Sequence, residues 1–181
     1  MHATETFLKP LERLAIFAAD PVPRLSLNPQ LSTLNLLALH PGSGSERKNW
    51  PERHWRELLA RLLDETELQL LLIGGEVESE RVAALARTLS SSRVQLALNL
   101  PLPELADRLR SCHAFVGHDS GISHLAAAVG VPVLALWGET AEAIWKPAGD
   151  NVRILRGGPA LAGITVEQAL AAARELSEQR R

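Results

Sequence analysis

The sequence predicts a Rossmann-like α/β domain, with a parallel sheet of about six strands and helices on both faces. From Leu34 onward, short apolar runs alternate with segments of helical periodicity, which is typical of βα units. The apolar runs are nearly continuous in Leu, Val and Ile, as strands covered on both faces require. The length of 181 residues fits one such domain with an additional segment.

Residues 1–33 depart from this alternation. Apolar residues there recur at helical spacing, at Phe7, Leu8, Leu11, Leu14 and Phe17. They predict an amphipathic helix that is broken at Pro10. Three prolines between positions 21 and 29 then predict an extended linker. We therefore divide the chain into a helix and linker at residues 1–33 and a Rossmann-like domain at residues 34–181.

The domain is predicted from six strands and the helices between them. The strands are Leu34–Leu39, Leu68–Ile73, Val94–Leu98, Ala114–Gly117, Val131–Leu136 and Val152–Leu155. Apolar residues at i, i+3, i+4 and i+7 predict helices over Trp55–Leu63, Val82–Leu89 and Ile122–Val129. A last helix begins at Thr165, where Gln168 completes a capping box.

Composition excludes several classes of protein. Lys and Arg number 19 and Asp and Glu 21, so a net charge of −2 argues against a surface built for nucleic acid. No apolar stretch reaches the roughly 20 residues of a transmembrane helix. A lone Cys112 rules out an internal disulfide and favours a reducing compartment. Because no signal-peptide pattern opens the chain, we expect a cytoplasmic protein.

A first candidate binding loop follows the first strand, with the sequence H-P-G-S-G-S-E-R-K-N-W-P at residues 40–51. Ligands bind at the carboxyl ends of strands in open parallel sheets. Gly42 and Gly44 allow close approach of the backbone, Ser43 and Ser45 offer donors, and Lys48 adds a positive charge. This set suits a phosphate, and a plain surface loop is the alternative. The segment lacks both the Walker and the dinucleotide spacing.

A second candidate loop, G-H-D-S-G-I-S-H at residues 117–124, joins the fourth strand to a helix. Free backbone N–H groups at a helix N-terminus favour an anion. Taken alone, Asp119 is typical of an N-cap and His124 of a packing residue. Two such loops at one edge of a sheet favour a ligand site instead.

These motifs, together with I-G-G-E at residues 73–76, resemble glycosyltransferase family 9, the lipopolysaccharide heptosyltransferases. The resemblance covers about residues 35–156. It implies one half of a two-domain B-type inverting transferase, with residues 1–33 as the remnant of an interdomain helix and linker. The donor would be an ADP-sugar, typically ADP-heptose, and the acceptor a lipopolysaccharide core bound through a partner N-terminal domain.

The resemblance also implies a set of donor-binding residues. They are Ser43, Ser45, Lys48, Asp119, Ser120, Gly121, Ile122 and His124. Lys48 and the two nearby serines would hold the diphosphate, and Asp119 would meet the sugar hydroxyls. The backbone of residues 120–122 would bind phosphate, with His124 supporting that turn or the phosphate. Glu78 or Glu80 would form a hydrogen bond with the ribose. The alternative is that both are surface residues of an exposed helix.

Two features depart from the family pattern. His118 stands where the family has Asn or another small polar residue, so it would alter contacts on the acceptor side. Residues 98–103 read L-N-L-P-L-P instead of Gly followed by Thr or Ser, which affects the expected nucleobase contact.

We expect the transfer to need no metal cofactor, because no two Asp residues have the Asp-x-Asp spacing that holds a divalent ion. The family's catalytic base is an Asp of the N-terminal domain, so we expect this chain alone to be inactive, with His118 the one base candidate within it. The complete enzyme is expected in the cytoplasm, with peripheral association at the inner face of the inner membrane left open. A non-catalytic sugar-nucleotide-binding module and a sugar-nucleotide epimerase are the alternatives.

Overall fold

The structure is a computed structural model that describes residues 1–26, 35–158 and 160–178. Its sheet contains β1 (Leu36–Leu39), β2 (Gln69–Gly74), β3 (Val94–Leu98), β4 (Ala114–His118), β5 (Val133–Leu136) and β6 (Val152–Leu155). All pairings are parallel, in the order β3-β2-β1-β4-β5-β6. The predicted Rossmann-like sheet is therefore confirmed. The expected strand start at Leu34 and linker residue Pro29 lie outside the described residues.

The start of the fifth strand differs from the prediction for a simple chemical reason. The fifth strand was expected from Val131, but the Val131 N–H closes the preceding helix by donating to the Ala126 carbonyl at 3.1 Å. Pro132 has no N–H to give, and its carbonyl accepts from Phe115 at 2.9 Å. The ladder of β5 therefore begins at Val133.

The helices of the domain are α2 (Glu52–Glu65), α3 (Ser79–Leu89), α4 (Leu102–Arg110), α5 (Gly121–Ala128), α6 (Glu142–Trp145) and α7 (Val166–Glu178). The capping box before α7 is confirmed, with Thr165 N–H donating to Gln168 Oε1 at 3.0 Å and Gln168 N–H to Thr165 Oγ1 at 3.2 Å. Sequence reasoning missed α4. Its signals are Pro101 just before its first residue and an apolar face at Leu105 and Leu109.

Two apolar layers cover the sheet because alternate strand residues point to opposite faces. Leu37 and Leu39 of β1 pack with α2, α3 and α7, while Leu36 and Ala38 pack with α4 and α5. The same alternation holds along β2, β4 and β5. The helices that follow β1 and β4 thus leave the sheet toward opposite faces, and these two strands are neighbours. In such a sheet a crevice opens between their carboxyl ends.

The N-terminal helix α1 (Ala3–Glu12) contains Pro10, so the expectation of a break at that residue is wrong. Pro10 removes one backbone hydrogen bond and crowds the preceding turn, and the helix nevertheless continues for two residues beyond it to Glu12. Ala15, with a φ of 59°, then closes the helix, since the Ile16 N–H donates to the Leu11 carbonyl at 3.1 Å.

The apolar side of this segment is uncovered in the structure. Phe7, Leu14 and Phe17 are 72%, 70% and 78% exposed, and α1 contains no buried residue. Leu11 is half-buried. Across the described parts of the chain, helices are too short or too polar to traverse a lipid bilayer.

Candidate functional site

The loop between β1 and α2 is tied down by its own side chains and by α3. The Ser43 hydroxyl lies 2.7 Å from Asn49 Oδ1 and 2.9 Å from the Ser45 carbonyl, which folds the loop back on itself. From the α3 side, the Glu78 carboxylate accepts the Gly44 N–H at 3.1 Å. A Cβ on Gly42 would lie 2.6 Å from the Glu78 side chain, so a larger residue there would displace the Glu78 carboxylate. The loop is therefore prearranged rather than loose.

The turn between β4 and α5 presents unpaired backbone donors. Ser120 is the N-cap of α5, and its side chain makes no capping hydrogen bond. The N–H groups of Gly121 and Ile122 have no acceptor among the described residues. A Cβ on Gly121 would meet nothing within 4 Å. Protein packing thus does not explain this glycine, and the first turn of α5 faces open space suited to an anion.

An ion pair joins the two loops. Lys48 Nζ lies 2.7 Å from Asp119 Oδ2, and the side chains are 42% and 11% exposed. Lys48 belongs to a short 3₁₀ turn at Glu46–Lys48 that precedes α2. The two residues that the family resemblance assigned to different parts of one ligand are therefore in direct contact.

Two cavities adjoin the two loops. The first, which we call the cleft, has a volume of about 320 Å³. Its lining includes Ser43, Glu78, Ser120, Gly121 and Ile122. The second, the side pocket, has a volume of about 220 Å³ and includes Ser45, Lys48 and Asp119. Consecutive residues of the same two loops line both cavities.

The far wall of the cleft is apolar and comes from β2, β3 and α4. It consists of Ile73, Ala97, Leu100, Leu102 and Leu105, with Asn99 beside them. Asn99 has a φ of 55° and its N–H donates to the Gly74 carbonyl at 2.9 Å. Sequence reasoning questioned this segment and assigned none of its residues. The strand-end rule that identified the first two loops also applies here, because the segment follows β3.

The two glutamates considered for the ribose occupy different places. Glu78 lines the cleft next to Gly44. Glu80 is exposed in the first turn of α3 and is not part of the cleft lining. Of the two, only Glu78 is placed to meet a ligand in the cleft.

His118 has a packing role rather than the acceptor-side role expected from the sequence. It is fully buried, and its ring packs edge-on against Trp55 with centroids 5.4 Å apart. Its Nε2 accepts the Trp50 N–H at 2.9 Å, so Nδ1 carries the proton toward the Gly42 carbonyl at 3.2 Å. Burial lowers the pKa of His118 to about 3. A neutral imidazole with both nitrogens engaged cannot reach an acceptor hydroxyl.

His124 lies one turn into α5 and lines neither cavity. Burial lowers its pKa, against the opposing effects of the Asp119 carboxylate and of a hydrogen bond to the Trp145 backbone. This position behind the first turn fits support of the turn. Within residues 1–26, 35–158 and 160–178, no three His, Cys, Asp or Glu side chains are grouped to hold a metal ion.

Residues 18–169 match the sequence model of glycosyltransferase family 9 (heptosyltransferase). The chain belongs to this family. Among curated relatives, lipopolysaccharide heptosyltransferase 1 of Pseudomonas aeruginosa is 39% identical over 105 residues, which cover 58% of this chain and 29% of the relative.

Solved structures of related proteins share the fold of this chain. Escherichia coli heptosyltransferase WaaC with ADP superposes with a TM-score of 0.73 at 28% identity, covering 81% of this chain and 46% of that protein. A family 9 glycosyltransferase from Veillonella parvula, at 19% identity, shares the fold with a TM-score of 0.84 over 98% of this chain. This family 9 chain spans about half the length of these solved structures and about a third of the curated relatives.

Proposed function

We propose that this chain binds the ADP-sugar donor, in the first instance ADP-heptose, for an inverting transfer to a lipopolysaccharide core acceptor. The observation that carries the proposal is the pair of unpaired N–H groups on Gly121 and Ile122, which open on the same sheet edge as the Lys48 ammonium group. Together they supply positive field for a diphosphate without any rearrangement of the backbone. A family relative has been solved with ADP, which supports the choice of nucleotide.

The two cavities suggest how the donor is divided. The apolar wall of the cleft suits the flat adenine ring, and the Glu78 carboxylate suits the ribose hydroxyls. The diphosphate then meets the start of α5, and the sugar enters the side pocket beside Asp119. Lys48 has three protons on Nζ, so it can retain its hydrogen bond to Asp119 and also donate one to a phosphate oxygen.

In the proposed reaction the acceptor oxygen forms a bond to the anomeric carbon of the sugar while the bond from that carbon to the phosphate oxygen breaks. Negative charge develops on the departing ADP, where Lys48 and the N-terminus of α5 stabilise it. The proton of the acceptor hydroxyl needs a base. His118 cannot supply one, since it is buried and both of its ring nitrogens are engaged.

We therefore propose that the base comes from a second domain, as the family resemblance implies, and that residues 1–33 form the connection to it. The exposed Phe7 on α1 and the exposed Leu14 just after this helix support a connection of this kind, because large apolar side chains in water gain by packing against another surface. On this proposal the chain alone binds donor and transfers no sugar.

Titration calorimetry of the chain with ADP, in the presence and absence of EDTA, tests the proposed site. We expect saturable binding with the same affinity in both conditions, because protein groups alone supply the positive field. Loss of binding with the chelator would disprove the metal-free account. Absence of binding in both conditions would disprove the donor site itself.

A further inference from the structure

His40 lines the cleft but is not among the residues of the proposed donor site. It follows β1 directly, and its N–H donates to the Val116 carbonyl of β4 at 2.9 Å. The residue is 4% exposed, yet its ring lines the cleft together with Ser120 and Gly121. A nearly buried polar ring therefore begins the first loop and lies beside the turn between β4 and α5.

The two ring nitrogens of His40 have different surroundings. Nδ1 lies 3.4 Å from the hydroxyl oxygen of Ser120. Nε2 has no hydrogen-bond partner among the described residues, and the atom is not fully enclosed by protein. Nε2 therefore opens on the cleft that the ring lines. In His118, by contrast, both nitrogens bond to backbone groups of the protein.

The protonation state of the ring suits a hydrogen-bond donor without a charge. Burial lowers the pKa of His40 to about 4, with the Glu78 carboxylate opposing and the Arg81 guanidinium adding to the effect. A neutral imidazole carries one proton. When the Ser120 hydroxyl donates to Nδ1, that proton is on Nε2 and points into the cleft.

We propose that His40 is a further donor-binding residue, whose Nε2–H donates a hydrogen bond to an oxygen of the donor's diphosphate. This inference rests on the proposed function. The diphosphate is favoured over the nucleobase because Ser120, the neighbour of Nδ1, is the N-cap of α5, whose first free N–H groups attract an anion. The apolar wall suited to the base belongs to other strands.

The test compares three variants of His40 for binding of ADP and of adenosine. His40→Gln places an amide N–H near the position of Nε2, whereas His40→Leu fills a similar volume without a donor. His40→Asn retains an amide but is too short to reach the same point, which provides a second donor-deficient variant if His40→Leu does not fold. His54→Gln on α2, outside the cleft lining, is the matched control.

We expect His40→Leu and His40→Asn to weaken ADP binding by about 10-fold or more, as for a lost hydrogen bond to a charged group. His40→Gln should remain within about 3-fold of the wild type, and His54→Gln should match it. Adenosine, which lacks the diphosphate, should bind equally to all of them.

ADP binding that is unchanged in His40→Leu or His40→Asn would overturn the role of His40 and leave the proposed donor site intact. Equal losses for ADP and adenosine would also overturn it, because they would indicate a disturbed cleft rather than a lost phosphate contact. Failure of the wild-type chain to bind ADP would overturn the proposed function as well.

Discussion

The ion pair of Lys48 and Asp119 matters more for the position of its charged groups than for the stability of the fold. Asp119 is nearly buried, and Lys48 is the more accessible partner. A half-exposed pair of this kind stabilises a fold by at most about 1 kcal/mol. Its value is positional, because it fixes the ammonium group in the wall of the side pocket.

Lys48→Ala should therefore reduce ADP affinity and leave the fold almost unchanged. The loss of a hydrogen bond between charged groups, about 1.5 to 3 kcal/mol, corresponds to roughly 10-fold to 150-fold in dissociation constant. Calorimetry gives the affinity, and the melting temperature reports the fold. Arg56→Ala is the matched control, since it removes an exposed cation paired with Glu52 on α2. A sharp fall in melting temperature with unchanged affinity would mean that Lys48 is structural.

Asp119→Ala should act on the sugar rather than on the nucleotide. We expect the affinity for ADP-heptose to fall toward that for ADP, while ADP itself binds at least as well because the Lys48 ammonium group loses its competitor. Competition titrations with the two ligands measure this ratio. If both affinities decrease by the same factor, Asp119 does not contact the sugar.

The buried histidines predict an acid-sensitive fold. The pKa of His118 is lowered to about 3 and that of His40 to about 4, whereas both side chains titrate near 6.5 in the unfolded chain. Below pH 6.5 the unfolded state gains protons that the folded state does not, so stability falls as the pH falls. Urea unfolding at pH 7.5 and 5.5 should differ by about 1 kcal/mol for each of these residues. His40→Gln should reduce that difference, and identical stabilities at both pH values would contradict the assignment.

At the level of elements, two glycines lie on either side of the turn between β4 and α5, Gly117 in β4 and Gly121 at the first residue of α5, and their surroundings differ. A Cβ on Gly117, at the end of β4, would lie 2.7 Å from the Phe115 ring. A Cβ on Gly121 would enter open space at the mouth of the cleft. The first glycine is required by the core, and the second leaves room for a ligand.

Alanine at these two positions should have opposite effects, lowering ADP affinity at one and the stability of the fold at the other. Gly121→Ala should keep or raise the melting temperature, because alanine favours a helix, while it weakens ADP binding by crowding the phosphate. Gly117→Ala should cost about 1 to 3 kcal/mol of stability through overpacking. Thermal unfolding and calorimetry on both variants separate the effects. Full ADP affinity in Gly121→Ala would contradict a phosphate at this turn.

The elements were predictable where their signal is local. Continuous apolar runs gave all six strands, and the Thr165–Gln168 box gave the start of α7. Pro10 misled the prediction because a proline inside a helix weakens the preceding turn without always ending the helix, and the surrounding structure decides the outcome. The role of His118 could not be predicted from local sequence either, since its partners Trp50 and Gly42 lie 68 and 76 residues away in the chain.

At the scale of the whole molecule, the family 9 assignment and the length of the relatives raise the question of activity. The chain covers 46% of the E. coli heptosyltransferase solved with ADP. We expect the purified chain to bind ADP-heptose and to transfer no heptose to a lipopolysaccharide core acceptor. Adding the N-terminal half of a family relative should restore some transfer, which mass spectrometry of the acceptor would detect. Robust transfer by the chain alone would require a base that we have not identified.

The direct neighbours β1 and β4 contribute the two binding loops, but Lys48 and Asp119 are separated by 71 residues of sequence. The strands β2 and β3 are made between them and lie on the far side of β1. During synthesis on the ribosome, the first loop must therefore wait until β4 and the start of α5 have emerged. The proposed donor site therefore forms only after the second loop has been synthesised and β4 has paired with β1.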